Sequence, residues 1–191
     1  MLNSLFKFIL LFSLAVPYVS CSKSDSKQAD PGETDSYIFT NEKAVTNSVV
    51  DSALLAPDFS YPAMNGEGFK LSDHRGTVIV LNLWGTWCGP CIREIPDLIA
   101  IQNKFKKKNL EIVGVSLDTK GWKVVRPFAK KHKINYRILL DKQGTILKKY
   151  PLMGLPDTYI INKQGEIAHY IKRGLPTEKM LTPLLEKLTK R

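Results

Sequence analysis

The chain has 191 residues and a formal net charge of +10. Residues 56–191 contain 24 lysines and arginines against 12 acidic residues, but the lysines are not interleaved with aromatic residues as in a nucleic-acid stacking surface. We therefore expect no nucleic-acid partner; the basic surface is either simply solvated or faces anionic head groups or an acidic partner. With three cysteines, the chain lacks the two cysteine pairs of a four-cysteine zinc site.

The first 21 residues have the pattern of a secretory signal. Lys7 precedes an apolar stretch at residues 8–16, which is shorter than the roughly 18 residues of a membrane-spanning helix. Ser20 and Cys21 resemble the cleavage box of a bacterial lipoprotein, although Tyr18 stands where an aliphatic residue is usual. The pattern predicts a protein of the cell envelope, tethered at its periplasmic or extracytoplasmic face by lipid on Cys21. A cleaved soluble form and an uncleaved signal anchor are the alternatives.

Residues 22–55 have the composition of a flexible tether. They are rich in Ser, Lys, Asp, Thr and Gln, with Pro31 and Gly32 in the middle. A random coil of this length spans on the order of 30 Å, which would hold a domain clear of a lipid surface. The apolar residues 37–39 either dock on the domain or form a disordered apolar spot.

Residues 56–191 have the length of one domain. Residues 78–84 form a nearly continuous apolar run, typical of a strand buried on both faces, and apolar residues at helical spacing follow. The predicted elements are strands 69–71 and 78–84, helix 88–106, strand 111–117, helix 123–133, strand 136–140, a short helix 145–149, strands 158–161 and 167–171, and helix 177–188. This alternation predicts right-handed βαβ units in an α/β domain, and residues 162–165 predict the turn of an antiparallel hairpin.

Cys88 and Cys91 lie three residues apart at the predicted strand-to-helix junction. The N-terminus of a helix presents unpaired N–H groups and the positive end of the helix dipole, so a cysteine in its first turn has a lowered pKa. Such a pair is typical of thiol–disulfide redox chemistry. Cys88 is the candidate nucleophile and Cys91 the residue that resolves the mixed disulfide.

Motifs that lie far apart in the sequence support a family resemblance. They are Ala-Pro-Asp-Phe at 56–59, Trp-Gly-Thr-Trp-Cys-Gly-Pro-Cys at 84–91, Pro96, and Gly-Leu-Pro-Asp-Thr-Tyr-Ile-Ile at 154–161. Together they resemble the thioredoxin-like proteins of the TlpA/ResA type, which are exported thiol:disulfide oxidoreductases. The resemblance covers residues 56–191 and implies a thioredoxin-like fold: a central mixed sheet flanked by helices, with an N-terminal strand extension.

The resemblance also implies a function and partners. The dipeptide Gly89-Pro90 is identical to that of the reducing thioredoxins, whose potential lies near about −270 mV, so we expect reduction of disulfides in exported proteins. Members of this family suggest apocytochrome c as a client, hence a role in cytochrome c maturation, and a membrane thiol reductase that recharges the cysteine pair. No cofactor or metal is expected, and we expect a monomer.

The expected substrate-binding residues surround the cysteine pair. In this family the proline corresponding to Pro156 is cis and lies against the cysteines, which would present the backbone N–H and C=O of Leu155 to an extended substrate segment. Trp87 is expected to offer a partly exposed apolar face to the same segment. Gly89 and Pro90, between the cysteines, complete this expected surface.

Glu94 is the candidate proton carrier. Thioredoxin has a buried aspartate six residues before its first cysteine, whereas this chain has Asn82, which cannot accept a proton. Glu94 lies three residues after Cys91, on the same predicted helix face, and acidic residues at this position resemble the family pattern. A carboxylate there would raise the pKa of the thiols and could move a proton to or from Cys91. The alternative is a solvated glutamate on the helix surface.

Two other functions of related folds remain as alternatives. A thiol peroxidase of the peroxiredoxin type would carry threonine three residues before its reactive cysteine, but Thr86 lies two before Cys88. A copper-delivery protein would normally show C-x-x-x-C with a downstream histidine, for which His169 is the candidate. Covalent c-haem attachment is excluded because Ile92 stands where the motif C-x-x-C-H requires histidine.

Overall fold

The computed structural model describes residues 54–174 and 176–190. The predicted signal, Cys21 and nearly all of the predicted tether lie outside the described residues, so their predictions stay predictions. None of the described helices combines the length and apolar character needed to cross a membrane.

The described residues form two sheets and a layer of helices. In chain order, the elements are β1 (Ser60–Pro62), β2 (Gly68–Lys70), β3 (Val78–Trp84), α1 (Gly89–Phe105), β4 (Leu110–Ser116), α2 (Trp122–Lys131), β5 (Arg137–Leu140), β6 (Asp157–Ile161), β7 (Ile167–Ile171) and α3 (Glu178–Lys190). The main sheet has the order β5-β4-β3-β6-β7, with β3, β4 and β5 parallel and β6 and β7 antiparallel to their neighbours. This confirms the predicted α/β class, mixed sheet and late hairpin.

All seven residues of β3 are buried, because both faces of the sheet are covered. On one face, Val80 and Trp84 pack with residues of α1, α2 and α3. On the other face, Leu81 and Leu83 pack with residues of the β1–β2 hairpin and of the segment 146–159. A central strand that is apolar at nearly every position therefore supplies both cores of the domain.

The N-terminal extension is an antiparallel hairpin of β1 and β2. The ring of Phe59 stacks on Phe69 at a centroid distance of 5.9 Å, and both rings are buried. β1 was not predicted, because it has only three residues and ends in a proline. The backbone of Leu54 accepts a hydrogen bond from the N–H of Ile167, and Leu55 forms a bridge with Glu166. The sheet pairing thus includes two residues that the composition assigned to the tether.

The other differences from the predicted elements are small. α1 and α3 differ from the predicted helices by one or two residues at their ends. The predicted short helix near residue 145 is a 3₁₀ turn at Thr145–Lys148.

The strand register brings several loops to the edge of the sheet that follows β3. Trp84 lies beside Ser116 and Ser116 beside Leu140, while Leu83 faces Asp157 at the start of β6. We call this edge the cysteine end, and it comprises residues 85–94, 117–121, 141–144, 151–157 and 172–174.

Candidate active site

Cys88 and Cys91 form a disulfide with an S–S distance of 2.07 Å. Cys88 is the N-cap of α1, and its sulfur accepts a hydrogen bond from the backbone N–H of Cys91 at 3.2 Å. Cys88 is 5% exposed and Cys91 1%, so Cys88 is the more accessible of the two cysteines. In the reduced protein, the same N–H group and the helix dipole stabilise a thiolate on Cys88.

The expected substrate-binding residues lie at the cysteine end of the domain. The Leu155–Pro156 peptide bond is cis, as the family resemblance implied. Leu155 packs against the buried cluster that contains both cysteines. Trp87 is 68% exposed, and Gly89 and Pro90 are exposed at the start of α1.

Two neighbours of these residues were not found from the sequence. Met153 is 66% exposed in the loop that precedes the cis proline. Gly85 lies against the indole of Trp87, because a Cβ at that position would lie 2.8 Å from two ring atoms. A glycine therefore allows the indole to lie over the backbone that leads into Cys88.

Glu94 is buried, so its interpretation as a solvated surface residue is wrong. It is 2% exposed, and the side-chain amide of Asn82 donates a hydrogen bond of 2.8 Å to its Oε1. The same amide donates to Thr158 Oγ1 at 3.0 Å. Burial raises the pKa of Glu94 to about 8; the hydrogen bond from Asn82 opposes this shift, and Asp97 adds to it. At pH 7 in the disulfide form Glu94 is therefore mostly protonated, and its Oε2 has no hydrogen-bond partner among the described residues.

Asp118 is a buried carboxylate beneath the loop that carries Cys88, and the sequence analysis missed it. The backbone N–H of Thr86 donates to its Oδ2 at 3.0 Å, and the Thr86 hydroxyl donates to Oδ1 at 2.6 Å. The hydroxyl of Ser116 donates to Oδ2 at 2.8 Å. The one available signal was its position just after a predicted strand, at the same edge of the sheet as Cys88.

Asp157 plays a comparable part beside the cis proline. It is fully buried, and it accepts hydrogen bonds of 2.7 Å from the Tyr170 hydroxyl and from the backbone N–H of Arg173. These contacts join the start of β6 to β7 and to the residues that follow it. Local sequence could not reveal them, because the partners are 13 and 16 residues away.

His169 does not lie at the cysteine end. It faces Ile160 across the hairpin, and Ile160 faces Val80, which is four residues, or roughly 13 Å, from Trp84. The described residues contain no group of three side chains suited to hold a metal ion. The geometry thus gives no support to the copper-delivery alternative.

The peroxidase alternative is also unsupported. The hydroxyl of Thr86 is engaged by Asp118, and Cys88 is bonded to the cysteine three residues on. Both contacts favour a dithiol–disulfide site.

Relatives of known activity agree with this geometry. A profile of the AhpC/TSA family matches residues 54–170. The thiol-disulfide oxidoreductase ResA of Bacillus thuringiensis is 34% identical over 134 residues, which are 70% of this chain and 76% of the relative. ResA of Bacillus subtilis is 35% identical over 126 residues, 66% of this chain and 69% of the relative. The chain belongs to the ResA-type thiol:disulfide oxidoreductases.

Solved structures of similar proteins have the same fold as this ResA-type chain. The thiol:disulfide interchange protein DsbE of Chlorobium tepidum matches with a TM-score of 0.64 and 28% identity, over 73% of this chain and 97% of the solved one. StoA of Bacillus subtilis matches with a TM-score of 0.60 and 26% identity, over 69% and 98%. The predicted thioredoxin-like fold, the ResA-type family and the oxidoreductase activity are confirmed.

Proposed function

We propose that this oxidoreductase reduces disulfides of exported proteins outside the cytosol, held to a membrane by lipid on Cys21. The main observation in support of this mechanism is the position of three groups along α1. The sulfur of Cys88 lies at the N-terminus of α1, Cys91 lies behind it, and the buried Glu94 lies one helical turn beyond Cys91. The signal pattern and the dipeptide Gly89-Pro90 support the location and the reducing direction.

The chemistry proceeds in two exchange steps. The Cys88 thiolate attacks one sulfur of the client disulfide, which forms a mixed disulfide and releases the other client sulfur as a thiolate. Cys91 then loses its proton and attacks the Cys88 sulfur, which releases the second client sulfur. The client disulfide is reduced to two thiolates, which take protons from the solvent according to their own pKa values, and the pair is oxidised to the Cys88–Cys91 disulfide.

Glu94, in the ionised form that is the minor one at pH 7, takes the proton that Cys91 loses. Residues three apart on a helix face the same side, so the carboxylate lies on the side of the second cysteine. In the disulfide form, burial raises the pKa of Glu94 to about 8, so the carboxyl group keeps that proton near neutral pH. When the pair is reduced again, Glu94 returns the proton to Cys91. A pKa close to the working pH suits a group that moves a proton in both directions.

The proposed client is an extended segment of an exported protein that lies along Leu155 and contacts Trp87. Apocytochrome c is the client suggested by the resemblance to TlpA/ResA proteins, and a membrane thiol reductase is the proposed electron donor. The domain works as a monomer in this scheme.

Trapping of mixed disulfides in cells tests the proposal. A Cys91→Ser variant retains the attacking Cys88 but cannot resolve the mixed disulfide, so client proteins accumulate on it. They are identified after electrophoresis under non-reducing conditions. The Cys88→Ser, Cys91→Ser double variant is the matched control. If no exported protein accumulates, and the purified protein does not reduce disulfides, the proposal fails.

The location and direction need their own measurements. Cys21→Ser should release the protein from the membrane fraction, whereas wild-type protein remains there. Alkylation of cells should find Cys88 and Cys91 mainly reduced; a pair that is mainly oxidised would indicate the opposite direction.

A further inference from the structure

The exposed charges at the cysteine end all have the same sign. Among the described residues of this end, the exposed charged side chains are Arg93, Lys120, Lys142, Lys172 and Arg173. The same segments contain four carboxylates, each at most 3% exposed: Glu94, Asp118, Asp141 and Asp157. A molecule that approaches the disulfide therefore meets cations and no accessible carboxylate at this end.

The buried carboxylates are already engaged inside the domain. Asp118 and Asp157 accept the hydrogen bonds described above. Asp141 accepts from the Thr145 hydroxyl at 3.1 Å and from the backbone N–H of Ile146 at 2.7 Å. Their hydrogen-bonding capacity is used to hold loops, so none of them is presented to a client.

Three of the cations belong to segments that position the disulfide. A Cβ at Gly154 would lie 3.1 Å from Nε of Arg173, which places that guanidinium group beside the loop of Leu155. Lys120 follows Asp118 in the loop that holds Thr86. Arg93 lies two residues after the second cysteine, on α1.

Two partly exposed carboxylates on the helical layer, Asp97 and Glu178, already have partners within the domain. Asp97 lies one turn further along α1 than Glu94, and it accepts a hydrogen bond of 2.9 Å from the backbone N–H of Glu178. Glu178 in turn pairs with Lys104 at 3.3 Å. Both carboxylates are engaged at the junction of α1 and α3.

The middle of this surface is apolar. Trp87 and Met153 are each about two-thirds exposed, and Leu155, which packs against the cluster that contains both cysteines, is partly exposed. Exposed large apolar side chains surrounded by charge mark an interaction surface.

We propose that the client segment is acidic: an extended polypeptide with apolar residues next to its reactive cysteine and with aspartates or glutamates on either side. This inference rests on the proposed function and adds the chemical class of the substrate. Opposite charge around an interface raises the rate of encounter and disfavours partners of like charge. The cations therefore select acidic segments and slow the approach of basic ones.

Three disulfide-containing peptides test the inference. They share one sequence with two cysteines and an apolar spacer, and they differ only in flanking Glu, Gln or Lys residues. The full-length chain, reduced beforehand and kept in a zwitterionic detergent, supplies two electrons in a single turnover that is followed by tryptophan fluorescence. At low salt we expect the Glu peptide to react at least about tenfold faster than the Lys peptide, with the Gln peptide between them. The difference should largely disappear at about 1 M salt.

Removal of single positive charges shows which side chains produce the difference in rate between the peptides. Arg173→Gln and Lys120→Gln should each reduce the Glu-to-Lys rate ratio at least about twofold. Lys107→Gln is the matched control, because Lys107 precedes β4 at the opposite edge of the sheet and should leave the ratio unchanged. Equal rates for the three peptides, or faster reaction of the Lys peptide, would overturn the inference and leave the reductase proposal intact. If no peptide is reduced, the proposed function fails and the inference with it.

Discussion

The side-chain amide of Asn82 donates a hydrogen bond of 2.8 Å to the carboxyl group of Glu94 in the interior of the domain. Asn82 lies on β3, six residues before Cys88, and Glu94 lies on α1, three residues after Cys91. Thioredoxin carries a buried acid on its strand, whereas here the strand has Asn82 and the buried acid lies on the helix. The strand residue provides a hydrogen bond to this acid, and its amide group cannot accept a proton.

Stability should depend on pH through Glu94. Its folded-state pKa of about 8 lies above the ordinary value of 4.5. Between these two pH values the native state therefore keeps a proton that the unfolded chain releases. The contribution of protonated Glu94 to the free energy of unfolding is complete below about pH 4.5. It is lost as the pH rises to 8, at about 1.4 kcal/mol per pH unit. Urea unfolding of the oxidised protein at pH 5 and pH 8 should show this loss in wild type and not in Glu94→Gln. Parallel profiles would contradict it, and the exposed Glu67→Gln is the control.

The titration of the thiols should also depend on Glu94. An ionised carboxylate next to the pair disfavours a second negative charge, so it raises the pKa of the neighbouring thiol. In the reduced protein, Glu94→Gln should lower the pKa of Cys91 and slow the resolution of a mixed disulfide, because the proton acceptor is lost. Alkylation rates across pH 6–10 measure the first effect, and rapid-quench kinetics the second. Unchanged values in both would remove Glu94 from the mechanism.

The contact between Asp118 and Thr86 should matter for the position of the reactive cysteine. Asp118→Asn keeps the shape of the side chain but loses at least one of three hydrogen bonds, which should cost about 1–3 kcal/mol of unfolding free energy. We also expect slower attack by Cys88, because the preceding loop loses its anchor. Thr86→Val should have a similar, smaller effect. In the double variant the losses should be less than additive; strictly additive losses would show that the two side chains act independently.

Trp87 should affect docking more than folding. Since its side chain is 68% exposed, Trp87→Ala should change the unfolding free energy by less than about 1 kcal/mol. Reduction of a protein disulfide should slow several-fold through a raised KM, whereas reduction of a small aromatic disulfide should change little. Equal slowing for both substrates would place the effect on the chemistry of Cys88.

The strands and helices were readable from local patterns because their burial is periodic. β3 is apolar at nearly every position because both of its faces are covered, and the hairpin of β6 and β7 has a clear turn at residues 162–165. β1 was missed because three residues provide no periodicity. Glu94 could be placed on a helix face from its spacing, but whether that face was solvated depended on the strand packed beneath it.

The amino-acid sequence alone was sufficient for the fold class, the cysteine pair at a helix N-terminus and the family, because these depend on local spacing and on motifs that can be compared directly. Tertiary structure decided how the carboxylates are used. Asp118 and Asp157 read as ordinary polar residues along the chain, and Glu94 could be solvated or buried, yet all three are buried and hydrogen-bonded at the cysteine end. Their burial depends on partners brought together by the fold, and it leaves only cations exposed among the described charged residues there.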